Sequence, residues 1–92
     1  MNDRDFVNLC DEIDGRLTRI TIRWPETWWN VWKQQKHVRY ALQYPERVNQ
    51  AKVLKKTRDW LVLQTALHQG LDEHFIPIIN NISAYLGDRA PL

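Results

Sequence analysis

Arg16-Leu17-Thr18-Arg19-Ile20-Thr21-Ile22-Arg23-Trp24-Pro25 is the stretch on which the reading of this fold turns. From Thr18 to Trp24 the residues alternate. Thr18, Ile20, Ile22 and Trp24 fall on one side, and Arg19, Thr21 and Arg23 on the other. A period of two carried largely by β-branched residues predicts a strand with one buried face, spanning residues 17–24. No other part of the chain alternates in this way. A lone strand leaves its backbone N–H and C=O groups without ladder partners, so the reading calls for a second copy of the chain to supply them. The expected fold class is therefore mainly α, with one short strand that pairs between two chains of a dimer.

The strand ends at Trp24-Pro25. A residue before proline is driven to extended angles, and proline suits the first position of a helix. The outward strand face then carries two guanidinium groups around a hydroxyl. A two-stranded ribbon with such a face fits the major groove of B-DNA, where arginine can make paired hydrogen bonds to guanine. The segment Arg19-Ile20-Thr21-Ile22-Arg23-Trp24-Pro25-Glu26 resembles the strand-and-turn segment of the ribbon-helix-helix DNA-binding proteins, in particular the Arc-type phage repressors. That resemblance covers about ten residues. It implies that Arg19, Thr21 and Arg23 read base edges, that Ile20, Ile22 and Trp24 face a dimer core, and that Pro25 opens the first helix. The chain departs from the family in carrying a leading helix, and in the dozen or so residues between the first helix and Thr57-Arg58-Asp59, which resembles the opening of the second. It also departs in placing Glu26 where a phosphate would sit.

Length and composition are those of a small folded domain. Ninety-two residues, 43% hydrophobic with five tryptophans, make one domain over 1–92, near the lower end of what closes its own core. A core of that size is often completed by oligomerisation. The net charge of +2 is mild, but its distribution is not. The first fourteen residues set Asp3, Asp5, Asp11, Glu12 and Asp14 against Arg4 alone. All the basic residues except Arg4 and Arg89 lie between Arg16 and Arg58, opposed only by Glu26 and Glu46. A single cysteine, Cys10, excludes an internal disulfide and suits a reducing compartment. The first residues lack a basic-apolar-small signal pattern, and no apolar run approaches the ~20 residues of a bilayer span. A cytoplasmic protein is the expectation.

Around the strand the periodicity is helical. Phe6, Leu9, Cys10 and Ile13 predict an amphipathic helix over 3–14, closed by Gly15. A second helix is expected from Pro25 to about Tyr44, with Trp28, Val31, Trp32, Gln35, Val38 and Leu42 towards the core. Trp29, Lys33, Lys36 and Tyr40 lie to its side, Trp29 exposed or at an interface. Tyr44-Pro45-Glu46 predicts a further break and a helix over 45–69, whose segment from Trp60 to Leu67 should be the most buried in the molecule. Gly70 ends or weakens that helix. Pro77 begins or kinks a last one over 77–86, closed by Gly87, with a frayed tail over 88–92.

Chemistry-bearing motifs are sparse. Cys10 lies on an apolar stripe with no activating base beside it, and reads as an inert buried thiol. His68, Asp72, Glu73 and His74 match no helical zinc spacing, and no phosphate loop or nucleophile elbow is present. No catalytic residue, metal or cofactor is therefore predicted. The leading expectation is a dimeric repressor of phage or plasmid type that binds double-stranded DNA. Arg19, Thr21 and Arg23 would enter the groove, with Lys33, Lys36 and Arg39 on phosphates. The alternative is a non-enzymatic phage accessory protein that binds and inhibits a host protein or ribonucleoprotein defence complex, similar in size and composition to anti-CRISPR proteins. Its interface would use Trp29 and Tyr40, with Ile20 and Ile22 in a strand that pairs within the chain or adds to a partner's sheet edge. Three tryptophans within five residues also raise single-stranded nucleic-acid binding by base stacking.

Overall fold

The computed structural model of the chain describes residues 3–68, 70 and 72–87, the side chain of Asp72 excepted; the expected tail over 88–92 lies outside the described residues. Four helices account for most of it: α1 (Asp3–Arg23), α2 (Trp28–Gln43), α3 (Gln50–Leu67) and α4 (Asp72–Leu86). Short 3-10 turns at Pro25–Thr27 and Pro45–Arg47 join α1 to α2 and α2 to α3.

The expected strand is helix. There is no strand among the described residues, and residues 17–23 form the last two turns of α1. The reason lies in a repeat longer than the alternating window. Phe6, Leu9, Cys10, Ile13, Leu17 and Ile20 are all buried, and their spacings of three, one, three, four and three trace one stripe of a 3.6-residue helix. Of the four residues that alternation put on one face, only Ile20 is fully buried. Ile22 is 75% exposed, Thr18 faces solvent and Trp24 is half-buried. The threonines fit the helix because their hydroxyls donate to carbonyls one turn back, Thr18 Oγ1 to Asp14 O at 3.1 Å and Thr21 Oγ1 to Leu17 O at 3.2 Å. Gly15 does not end the first helix, which runs straight through it. Intermolecular strand pairing, which rested on that strand, goes with it.

The helix does end where proline requires. Trp24, before Pro25, takes φ −125° and ψ 78°, and Thr27 caps the corner with its hydroxyl donating to Trp24 O at 2.7 Å. The same device recurs at Tyr44-Pro45-Glu46, where Tyr44 sits at φ −129° and ψ 62°. A guanidinium stacks on the aromatic ring at each corner, Arg23 on Trp24 and Arg47 on Tyr44. The predicted helices over 25–44 and 45–69 are thus each a proline turn followed by a shorter helix. Asn49, not Pro45, caps the start of α3, its side chain accepting from Lys52 N at 3.1 Å.

α1 packs chiefly on α2 and α3 on α4, and contacts of α1 with α4 and of α2 with α3 join the two pairs. The stripe of α1 meets Val31, Val38 and Ala41 of α2, Leu54 and Leu61 of α3, and Phe75, Ile78, Ile79 and Ile82 of α4 in one core. Two further expectations change here. The segment Trp60–Leu67 is not the most buried, since Leu63 and Leu67 are exposed while Leu61 and Gln64 point inward. Its place is taken by α4, with Phe75, Ile78, Ile79, Ile82 and Ser83 buried. α4 begins at Asp72, ahead of the expected start at 77, and carries Pro77 inside it, one of the two positions expected for that proline.

Candidate functional site

α2 buries one narrow side and leaves an unusual surface on the other. Val31, Gln35, Val38 and Ala41 face inward. Three of these four are small apolar residues, which lets α2 lie close against α1 and leaves no room there for an indole. The tryptophans are therefore outside. Trp28, Trp29 and Trp32 are 53%, 49% and 43% exposed, which overturns the expectation that Trp28 and Trp32 pack in the core. Trp29 is exposed as its side position on the helix implied. Tyr40, three turns further on, is also half-exposed.

The indoles form an ordered cluster. Trp28 meets Trp29 edge-on with centroids 5.4 Å apart, and Trp29 stacks on Trp32 at 5.6 Å with 28° between planes. Lys33 holds its ammonium 5.3 Å from the centre of the Trp29 ring, and Lys36 lies 4.6 Å from that of Trp32. Each lysine is four residues after its indole, so one helical turn brings the pair together. That spacing is the signal in the sequence that could have placed the indoles outside, because an ammonium follows solvent and carries its ring with it.

Arg39, grouped with Lys33 and Lys36 as a phosphate contact, is engaged within the fold. Its Nε donates to Asp14 Oδ1 at 3.0 Å, and Gln35 Nε2 donates to the same oxygen at 3.0 Å and to Thr18 Oγ1 at 2.9 Å. This polar network ties α1 to α2 beside the tryptophans. The three residues expected to read bases do not form a row. Arg19 and Arg23 are exposed one turn apart, while Thr21 is about 200° round the helix from Arg19 at 100° per residue and half-buried. Ile20, given an interface role, is a core residue at 1% exposure, whereas Ile22 projects into solvent.

A feature the sequence reading missed opens between α2 and α3. A groove of about 310 Å³ is lined by Gln34, His37, Val53, Lys56 and Thr57. Gln34 Nε2 donates to Thr57 Oγ1 across it at 3.1 Å. Its trace in the sequence is a polar residue, Thr57, between Leu54 and Leu61 on the inward stripe, and which helix it faces depends on tertiary pairing.

Elsewhere the chemistry is quiet. Burial pushes the Cys10 thiol up to about 12, far from a reactive thiolate. Among the described residues no group of three or more His, Cys, Asp or Glu side chains is placed to hold a metal ion. His74 lies edge-on to Trp24 at 5.6 Å and 3.6 Å from Glu73. No helix of the described residues is long and apolar enough to cross a membrane. Comparisons with family models, with curated proteins and with solved structures returned no match, so function rests on the geometry of this surface.

Proposed function

We propose that the chain is a non-enzymatic binding module that engages an acidic protein surface through the outward face of α2. The observation that carries this reading is the ordered, half-exposed cluster of Trp28, Trp29 and Trp32 with Lys33 and Lys36 laid over its rings. Tryptophan, tyrosine and cationic side chains dominate the energetics of protein interfaces, and rings already held by neighbours lose little entropy on docking. Exposed indoles in a domain that has closed its core elsewhere indicate a surface kept for contact.

The other readings fit less well. A base-reading ribbon lacks its strand. Base stacking on successive rings needs free aromatic faces, yet Trp29 and Trp32 each have an indole against the ring and an ammonium over it, which leaves Trp28 as a single platform. A two-fold dimer through α2 would set Lys33 and Lys36 against their own copies, since α2 holds no carboxylate to oppose them.

The test is affinity capture with mass spectrometry, comparing the unaltered chain, Trp29→Ala/Tyr40→Ala and, as a surface control, Leu63→Gln. One protein retained by the unaltered chain and the control, and lost by the double variant, is the expected result. Each truncated anchor should cost about 2 kcal/mol, roughly thirtyfold in affinity. Equal retention by all three would remove the reading. So would saturable anisotropy changes with a 20-base oligonucleotide or a duplex that respond to the same substitutions.

A further inference from the structure

We infer that the partner presents an acidic amphipathic segment that lies across α2 and α3, seating one apolar side chain in the groove floored by Val53. The inference rests on the reading above and adds the chemistry of what docks. Between Trp28 and Arg58 stand eight basic residues, Lys33, Lys36, Arg39, Arg47, Lys52, Lys55, Lys56 and Arg58, against Glu46 alone. Arg39 is engaged by Asp14, and Arg58 Nη1 donates to Ser83 Oγ at 3.5 Å. The lysines stay on the surface, where Lys33, Lys36, Lys52, Lys55 and Lys56 are all exposed. The first turns of α1 carry the opposite sign in exposed Asp3, Asp5, Asp11 and Glu12 against Arg4, while its last turns add exposed Arg19 and Arg23. The five exposed lysines of α2 and α3 are opposed only by Asp59 on those two helices, so a carboxylate-rich segment is the complement of the α2–α3 side.

The groove decides between an acidic protein and an acidic polymer of another kind. At about 310 Å³ it lies at the lower limit of ligand pockets, a size that suits one side chain better than a cofactor. Val53 provides an apolar floor, while His37 and Lys56 put N–H donors on the rim and Gln34 is already held by Thr57. An apolar residue with carboxylates one turn to either side satisfies both parts at once. A phosphodiester strand would meet the rim and leave the floor empty. His37 and Lys33 sit one turn apart on α2, so the rim of the groove is continuous with the Trp29 ring.

The experiment is selection of a random 16-residue peptide display library on the full chain, with the selected peptides then measured by fluorescence anisotropy. The expected outcome is enrichment of Asp and Glu around one large apolar position. Affinity should fall at least tenfold with Lys56→Glu and with His37→Glu, both at exposed positions, with helicity checked by circular dichroism. Trp29→Ala should weaken the same peptides. Peptides sensitive to Trp29→Ala but indifferent to Lys56→Glu and His37→Glu would overturn the groove and leave the α2 surface standing. The reverse pattern would keep the groove and remove the tryptophan face as its companion. Selection of basic or neutral peptides, or displacement of the peptides by 20-base oligothymidylate at lower concentration than by oligoglutamate, would overturn the inference.

Discussion

Asp14 shows how much one side chain can decide. It is the shared acceptor for Gln35 and Arg39, and it is mostly buried. Asp14→Ala leaves the Gln35 amide, itself 7% exposed, with only part of its partners. A loss of about 1–3 kcal/mol in urea unfolding is expected, and a change below about 0.5 kcal/mol would show that the network contributes nothing net. Cys10 offers a pH test. Burial pushes its thiol up from an ordinary 9.0 to about 12 in the folded state, so the native state keeps a proton that the unfolded chain releases first. Its contribution is fully present below pH 9 and is lost as pH rises towards 12. The slope is about 1.4 kcal/mol per pH unit in that window. Cys10→Ala should unfold with a flatter dependence above pH 9, and parallel curves would refute the assignment. Both residues could be marked as inward-facing or polar from sequence, but the partners of Asp14 come from a different helix and could not.

At the scale of elements, Gly15 separates the two ways of reading the N-terminal third. As the punctuation between a helix and a strand it would need its freedom. As an exposed residue inside α1, with nothing within 4 Å of an added Cβ, it only weakens the helix. Gly15→Ala should therefore stabilise by about 0.5–1 kcal/mol, raising Tm by several degrees for a domain of this size. A fall in Tm would restore the break. Gly70 is the contrasting case. With φ +91° and the Trp24 ring 3.9 Å from an added Cβ, Gly70→Ala should destabilise by about 1–2 kcal/mol. At the start of α3, Asn49→Ala should cost about 1 kcal/mol by removing the cap to Lys52 N. The proline corners were legible because the constraint is local and steric. The strand reading failed because four alternating residues are also compatible with a helix, and burial of Leu17 and Ile20 in line with Phe6 to Ile13 chose between them.

On the scale of the whole molecule, the chain folds to a radius of gyration of 12.4 Å, near the value of about 12 Å expected of a compact domain this long. The buried core draws on all four helices of the chain. Three of five tryptophans remain at the surface, two of them beside lysines. Iodide should therefore quench native fluorescence more strongly than caesium at low ionic strength, with the difference shrinking as salt rises; equal quenching would place the indoles away from the cations. The amino-acid sequence alone determined the helical stripe of residues 6–13, both proline corners, the inert thiol and the basic middle of the chain. Each is set by neighbours within a turn or by composition. Only tertiary packing decided that residues 17–23 are helix, that Trp28 and Trp32 face solvent, that α4 is the buried helix, and that α2 and α3 leave a groove between them. Those outcomes depend on which side of each helix another helix covers, and local pattern carries that information only in part: the repeat through Leu17 and Ile20 competes with alternation, and the spacing of Lys33 and Lys36 is a trace of the exposed indoles.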